Sequence, residues 1–416
     1  MGLKIVLYVV IGLITIGLAF MLGNKIVVKK CISYVKRFPS VVPIHKATLQ
    51  VEPNGNYFFR SNEDFTVLQL TDLHIGGGIL SYKKDKLALR AVASMITEQK
   101  PNLVVITGDI AFPLVHYSGT GNNKSAHKIV AEMMEALQMY WVPVFGNHDT
   151  EIYSKFNREK IGDFYESDSY PHCLFKKGER NLDGCGNSLI PIKNDADIIV
   201  QSLVFLDSHA YTDDNKFGLY RKYDCIKENQ VKWYKNEMEN AIQHNQNIVT
   251  NMDTEHKTKL QNKYCKGNSL VFFHIPIQEY QDAYEDYLNK SPDATLFYGQ
   301  YGEKNHAVHH PVQHDALFET ASLLKGHIGF FCGHDHLNNA SILYKDIRLT
   351  FGYSIDYLVY FRIHKYGLYR GCTNITIKTD SEFNVEGLNY YASQFKVIDG
   401  RKKEKVTMEP YFKENT

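Results

Sequence analysis

The run Trp141-Val142-Pro143-Val144-Phe145-Gly146-Asn147-His148-Asp149 sets an apolar segment of strand length directly against three polar side chains. No helix cap separates the two parts, so a strand ending here presents all three side chains at one point. Asn147 offers a neutral oxygen, His148 a group that exchanges a proton near neutral pH, and Asp149 a carboxylate able to fix an imidazole tautomer. Taken alone, the tetrapeptide reads equally well as an asparagine-containing turn.

Four further segments repeat the arrangement. Asp72-Leu73-His74 follows the apolar run 65–70, Gly108-Asp109 follows 103–106, His274 follows 270–273, and Gly333-His334-Asp335-His336 follows 328–332. Side chains at the ends of neighbouring strands converge at one edge of a sheet. Residues 85–98 and 125–137 carry helical stripes between the first strands, the alternation of an α/β fold. Strands are predicted over 187–192 and 198–206 and helices over 228–244 and 313–324. The runs 341–344, 348–353 and 373–378 suggest hairpins closing a second sheet. Residues 245–267, rich in Asn and Lys, read as a solvated, mobile insertion.

Lys and Arg total 47 against 46 Asp and Glu, a net charge of +1. No whole-chain field points to nucleic acid or another polyanion. With 416 residues, 44% of them hydrophobic, the chain can bury a large core. The seven cysteines form no C-x-x-C pair, which argues against a structural zinc site. Cys173 and Cys185 can close a short loop in an oxidising compartment, and in a reducing one all seven are plain thiols.

Residues 5–22 contain neither a charge nor a proline, and this run approaches the ~20 residues a membrane-spanning helix needs. An uncleaved single-pass anchor is expected rather than a cleaved signal peptide ending near Gly17-Leu18-Ala19, because the run is longer than a usual signal core. Lys25, Lys29, Lys30, Lys36 and Arg37, then Pro39 and Pro43, follow it. The expected organisation is a transmembrane anchor or signal segment at 1–24, a basic, Pro-containing linker at 25–50 and one globular domain at 51–416. Positive charge after the run favours a cytosolic domain, whereas an apolar amino terminus is the habit of secretory chains; the expectation adopted is a luminal or extracellular domain. The sequence leaves the oligomeric state open.

The ordered set Asp-x-His, Gly-Asp, Gly-Asn-His-Asp, His and Gly-His-x-His, spanning Asp72 to His336, resembles the five-block signature of the calcineurin-like metallophosphoesterase superfamily. The resemblance implies an α/β fold of two packed β-sheets flanked by helices, in four layers. It implies that Asp72, His74 and His336 hold one metal ion, that Asn147, His274 and His334 hold a second, and that Asp109 bridges them. Such a mixture of oxygens and imidazoles suits manganese, zinc or iron, as a divalent or mixed-valence pair; magnesium or calcium would want more oxygens. The implied activity is hydrolysis of a phosphorylated substrate, a phosphomonoester with phosphoproteins among the candidates, by attack of a metal-bridging hydroxide. His148 would protonate the leaving group or stabilise charge, with Asp149 orienting it. A phosphodiesterase on the same centre and a non-catalytic binding protein are the alternatives.

Gly184-Cys185-Gly186-Asn187, Phe205-Leu206-Asp207-Ser208, Phe273-His274-Ile275-Pro276 and the block 332–336 are similar to the non-purple relatives of purple acid phosphatases. Phe112 stands where the purple enzymes have a ligating tyrosine, and a phenyl ring cannot bind iron. Further candidates are the histidines His306, His309, His310 and His314 for a phosphate contact, Asp207 and His209 for a supporting role, and Tyr353 with Asp356, which the resemblance places near the site.

Overall fold

The computed structural model describes residues 2–215, 220, 222–252 and 257–407. Its helices are α1 (Gly2–Val35), α2 (Tyr82–Gln99), α3 (Val115–Ser118), α4 (Asn123–Leu137), α5 (Arg158–Tyr165), α6 (Glu228–Thr250), α7 (Lys257–Tyr264), α8 (Glu279–Leu288) and α9 (Leu317–Leu323). The first seven strands are β1 (Thr48–Val51), β2 (Tyr57–Arg60), β3 (Phe65–Leu70), β4 (Leu103–Thr107), β5 (Trp141–Val144), β6 (Ser188–Lys193) and β7 (Ile199–Phe205). The remainder are β8 (Ser269–Phe272), β9 (Ala294–Tyr298), β10 (Ile328–Cys332), β11 (Ser341–Tyr344), β12 (Ile347–Phe351), β13 (Gly371–Ile377) and β14 (Phe383–Asn389).

Among the described residues two sheets form, one of five strands in the order β14-β13-β3-β4-β5 and one of nine in the order β1-β2-β6-β7-β8-β10-β12-β11-β9. Strands β3, β4, β5, β8 and β10 are buried along their whole length. That is why they read as continuous apolar runs rather than alternating ones. Alternate residues serve different layers. Val67, Val105 and Val144 face Phe205, Phe272 and Phe331 of the other sheet, and the last three rings stack at 5.6 and 5.1 Å. Leu68, Val104 and Ile106 pack instead on α2 and α4, while Val271, Phe330 and Leu349 pack on α6, α8 and α9. The result is helix, sheet, sheet, helix.

Parallel register brings the strand ends level, Leu70 opposite Ile106 and Thr107 opposite Val144 in one sheet, Phe272 opposite Phe331 in the other. Gln69 Nε2 donates to Cys332 O at 2.9 Å and ties the two sheets at that edge. All five motif turns emerge there.

Several local expectations differ from the structure. Residues 25–35 are the last third of an unbroken α1, with Val27, Cys31, Tyr34 and Val35 buried among α2 and α4, so the basic stretch is not an extended linker there. Its cations occupy only the solvent side of the helix. In 245–267, α6 continues to Thr250 and α7 follows; residues 253–256 lie outside the described part. Asn245, which looked like a loop residue, is buried and bonds Ile199 N, Ile199 O and Tyr264 O at 2.7–2.9 Å, satisfying backbone groups at the end of a strand. The helix predicted over 313–324 begins only at Leu317. β13 does not join the β11–β12 hairpin but pairs antiparallel with β3 in the five-stranded sheet. All seven cysteines are free.

Candidate metal centre

The turns that follow β3, β4, β5, β8 and β10 carry the motif residues, and their backbones are unusual. Asp72, His74, Asp109 and His334 have φ of 51°, 47°, 51° and 72°, a left-handed conformation that costs a non-glycine residue on the order of 1–3 kcal/mol. The paired strands on either side hold it. Two motif glycines are dictated by close approach: a Cβ on Gly108, at φ 88°, would lie 2.4 Å from Nδ1 of His274, and one on Gly333 would lie 1.9 Å from Thr71 Oγ1 and 2.9 Å from Asp72 Oδ2.

The side chains converge around Asp109. Its Oδ2 lies 3.2 Å from His74 Nε2 and 3.3 Å from His274 Nε2. His274 Nε2 is 3.1 Å from Asn147 Oδ1. On the other flank His336 Nε2 is 3.6 Å from Asp72 Oδ1, and donor atoms of Asp72, His74, Asp109 and His336 all fall within 4.8 Å of one another. The His334 ring stands edge-on to His274 at 5.1 Å, and its backbone N–H donates to Asp72 Oδ2. All seven residues read from the motifs therefore meet at one place.

The electrostatics suit a cation. Burial pushes the Asp72 carboxyl up to about 7, and its Oδ1 has no hydrogen-bond partner among the described residues. Burial disfavours charge on His274 as well, yet Asp109 raises that imidazole to about 9. Burial, with His274 beside it, holds His334 well below the usual histidine range, and burial with His74 beside it brings His336 down to about 3. These two rings are neutral, the form that ligates metal. Two buried carboxylates, an amide oxygen and four imidazoles fit a pair of transition-metal ions, which would hold in place of protons the charge that Asp72 and Asp109 demand.

His148 is placed differently from the other histidines. Its backbone N–H donates to Asp109 Oδ1 at 2.8 Å, and its ring stands beside those of His74 and Phe112 at 5.3 and 4.9 Å. Asp149, expected to orient the imidazole, does not reach it. Its carboxylate accepts from the backbone N–H groups of Gly146, Asp109 and Ala111 at 2.8–3.0 Å, because His148 opens a single tight helical turn that sends the next side chain inward. Glu151, one turn on, takes that place: its Oε1 lies 2.8 Å from His148 Nδ1 and accepts the Tyr211 hydroxyl at 3.0 Å.

The calcineurin-like phosphoesterase profile matches residues 65–360, from the first residue of β3 to beyond the last of these groups. The chain belongs to the calcineurin-like phosphoesterase family. Among curated relatives it is 30% identical over 293 residues to Phosphatase DCR2 of Saccharomyces cerevisiae, a match covering 66% of this chain and 44% of the yeast protein. The chain thus spans less than half the length of that relative. It is 25% identical over 342 residues to Probable inactive purple acid phosphatase 28 of Arabidopsis thaliana, covering 76% of this chain and 77% of the plant protein. A solved dimetal phosphatase from Danio rerio aligns over 79% of this chain and 97% of its own, at 13% identity and a TM-score of 0.48.

In this calcineurin-like phosphoesterase the other residues singled out from sequence have varied settings. Asp356 is buried, its Oδ2 3.4 Å from His74 Nδ1 and 3.5 Å from His336 Nδ1. The same carboxylate accepts three backbone N–H groups, from Leu358, Val359 and Tyr360, which fix it beneath both rings. His309 Nδ1 lies 2.5 Å from Oδ1 of Asp335, the residue between His334 and His336. His314 pairs with Glu279, and the ring nitrogens of His306 and His310 meet backbone oxygens. Asp207 pairs with Arg158 and accepts from Cys185 N, and His209 meets Gln230, so both brace the loops around β7. The Tyr353 ring lies in the space beside Gly371 and Gly387, at the β13–β14 edge of the five-stranded sheet. Phe112 stacks on His74 at 4.9 Å with 16° between the planes.

Sequence reasoning missed Glu151, Tyr211 and Tyr223. Glu151 lies three residues after His148, the spacing of one helical turn, and that was its only signal. Tyr211, whose hydroxyl accepts from Asn147 Nδ2 at 3.0 Å, and Tyr223, edge-on to His334 at 4.4 Å, follow no motif.

Proposed function

We propose that the chain is a dinuclear metal-dependent phosphatase acting on phosphomonoesters, carried on a membrane by α1. The observation that carries this reading is the convergence of Asp72, His74, Asp109 and His336 within 4.8 Å, with His274 3.3 Å from the same Asp109 carboxylate. Asp72, His74 and His336 would hold one ion, Asn147, His274 and His334 the other, and Asp109 would serve both. Bound there, two such ions neutralise ester oxygens and supply a nucleophile at neutral pH.

The chain's own residues supply the rest. Asp356 stands behind the Nδ1 atoms of His74 and His336, Ser354 Oγ meets the His336 Nδ1 at 3.1 Å, and Thr107 O orients His274 at 2.8 Å. Glu151 holds His148 so that its Nε2 is the atom left to meet a phosphate oxygen or give a proton to a leaving alkoxide. Asp149 locks the turn that aims both Asp109 and His148. Tyr211, Tyr223 and Phe112 form aromatic walls.

The reading is tested with the full chain loaded with manganese, zinc or iron and offered an aryl phosphomonoester, an aryl phosphodiester and a phosphopeptide. Monoester turnover at least about tenfold above diester turnover is expected, the span that pocket contacts of 1–3 kcal/mol confer. Preference for the diester overturns the substrate class, and bound metal without any turnover makes the chain a binding protein.

A further inference from the structure

α1 leaves the domain at a fixed place. Residues 4–22 are exposed and carry no charge after Lys4, and at the helical rise they reach about 28 Å, the thickness of a bilayer core. Further along the same unbroken helix, Val27, Cys31 and Tyr34 are buried. The junction is tied by Asn24, whose Nδ2 donates to Gly119 O and whose Oδ1 accepts from Ile79 N, both at 2.8 Å. The folded domain, not a flexible tether, sets the direction in which α1 departs.

The two loops that grip Asn24 belong to the mouth of the site. One follows His74 directly. The other closes α3, whose Tyr117 ring packs at 5.7 Å on Phe112, the residue that stacks on His74. On these loops Ile79, Leu80 and Val115 are 40%, 54% and 58% exposed. Ile152, 57% exposed, follows Glu151 on a turn held to them by the bond from Lys155 N to Gly121 O. Phe361, 50% exposed, adjoins Tyr360, whose ring lies 4.7 Å from His336.

The charge of this rim is one-sided. Segments 75–84, 112–125, 152–157 and 358–371 contain no Asp or Glu, while Lys83, Lys155, Arg362 and Lys365 are exposed on them. A surface of protruding apolar side chains with interspersed cations and no acid is complementary to the headgroup region of an anionic bilayer leaflet, a charge that marks the cytosolic side rather than the luminal side expected from the apolar amino terminus. Continuity with α1 places it beside that bilayer.

We propose that this rim docks on the membrane that holds α1, and that the substrate is a phosphomonoester borne on a lipid headgroup of that membrane. The inference rests on the readings of α1 as an anchor and of the site as a metallophosphatase. A water-facing mouth would serve a soluble phosphoprotein better, and has no use for unpaired Leu80 and Val115 at its lip.

The test uses the full chain in vesicles of phosphatidylcholine and phosphatidylserine containing phosphatidic acid. In Val115→Trp, the added fluorescence relative to wild type should be quenched by lipids brominated high in the acyl chain and shielded from iodide. Quenching by iodide alone overturns the docking, whatever the activity. Leu80→Asp combined with Val115→Asp should lower release of phosphate from phosphatidic acid at least about tenfold, while hydrolysis of soluble p-nitrophenyl phosphate changes less than about twofold. Equal effects on both substrates, no effect on either, or a wild-type preference for a phosphopeptide over the vesicle lipid overturns the substrate assignment. If no phosphomonoester is hydrolysed, that assignment fails together with the phosphatase reading, and the quenching alone decides the docking.

Discussion

Nδ1 of His148 lies 2.8 Å from Oε1 of Glu151. This pairing, rather than one with the adjacent Asp149, fixes which imidazole nitrogen faces the centre. Replacing His148 with Ala should lower turnover by roughly 10²- to 10⁴-fold, the usual contribution of a positioned acid. Glu151→Gln, which keeps the shape but not the charge of the group holding Nδ1, should lower it less. In both variants metal content measured by mass spectrometry should match wild type; loss of metal from His148→Ala would assign that residue to ligation.

Asp356 Oδ2 lies 3.4 Å from Nδ1 of His74 and 3.5 Å from Nδ1 of His336, which Ser354 Oγ also meets at 3.1 Å. Its replacement by Ala should weaken metal binding by about 10- to 100-fold, as loss of a carboxylate behind a ligating histidine generally does. Titration of the metal-free protein with zinc in a competing chelator reads this directly. Unchanged affinity would reduce Asp356 to a loop tie for Leu358, Val359 and Tyr360.

Much of this site was legible in the sequence because each strand is followed by its polar residue without an intervening loop, and parallel register carries the strand ends to one edge. His74, Asp109, Asn147, His274 and His334 follow from that arrangement. Asp149 was misjudged because sequence adjacency was taken for contact, and the tight turn after Asn147 sends successive side chains to opposite sides. The docking of α1 was illegible for a different reason: Cys31 and Tyr34 lie among lysines, and the basic composition of 25–37 concealed a buried stripe. Asn245 escaped notice because a polar residue that satisfies backbone groups has the same letter as one in a loop.

Phe112, at the position where the resemblance puts the ligating tyrosine of purple enzymes, stacks against His74. The iron-loaded protein should show no intense visible band from charge transfer between tyrosinate and ferric ion. Absorption between the ultraviolet and the red checks this, and a purple protein would assign another tyrosine to the metal.

His127 is buried, with Nδ1 2.7 Å from the Tyr165 hydroxyl, and burial brings its pKa down to about 3 from the ordinary 6.5. The folded chain keeps this ring neutral while the unfolded chain protonates it. Its stabilisation is therefore present above pH 6.5 and is lost as pH falls towards 3, at up to about 1.4 kcal/mol per pH unit. Thermal unfolding of His127→Gln should show a shallower loss of stability between pH 6.5 and 4.5 than wild type. Parallel curves would mean that the ring gains its proton in the folded chain.

If Asp109 serves two metal ions at once, the metal content per chain of wild type and Asp109→Ala, counted by mass spectrometry after reconstitution and desalting, will show it. Two ions per wild-type chain are expected, and Asp109→Ala should lose both together with turnover. An Asp109→Ala protein that keeps two ions, or a wild-type chain that takes up none, would contradict that shared role.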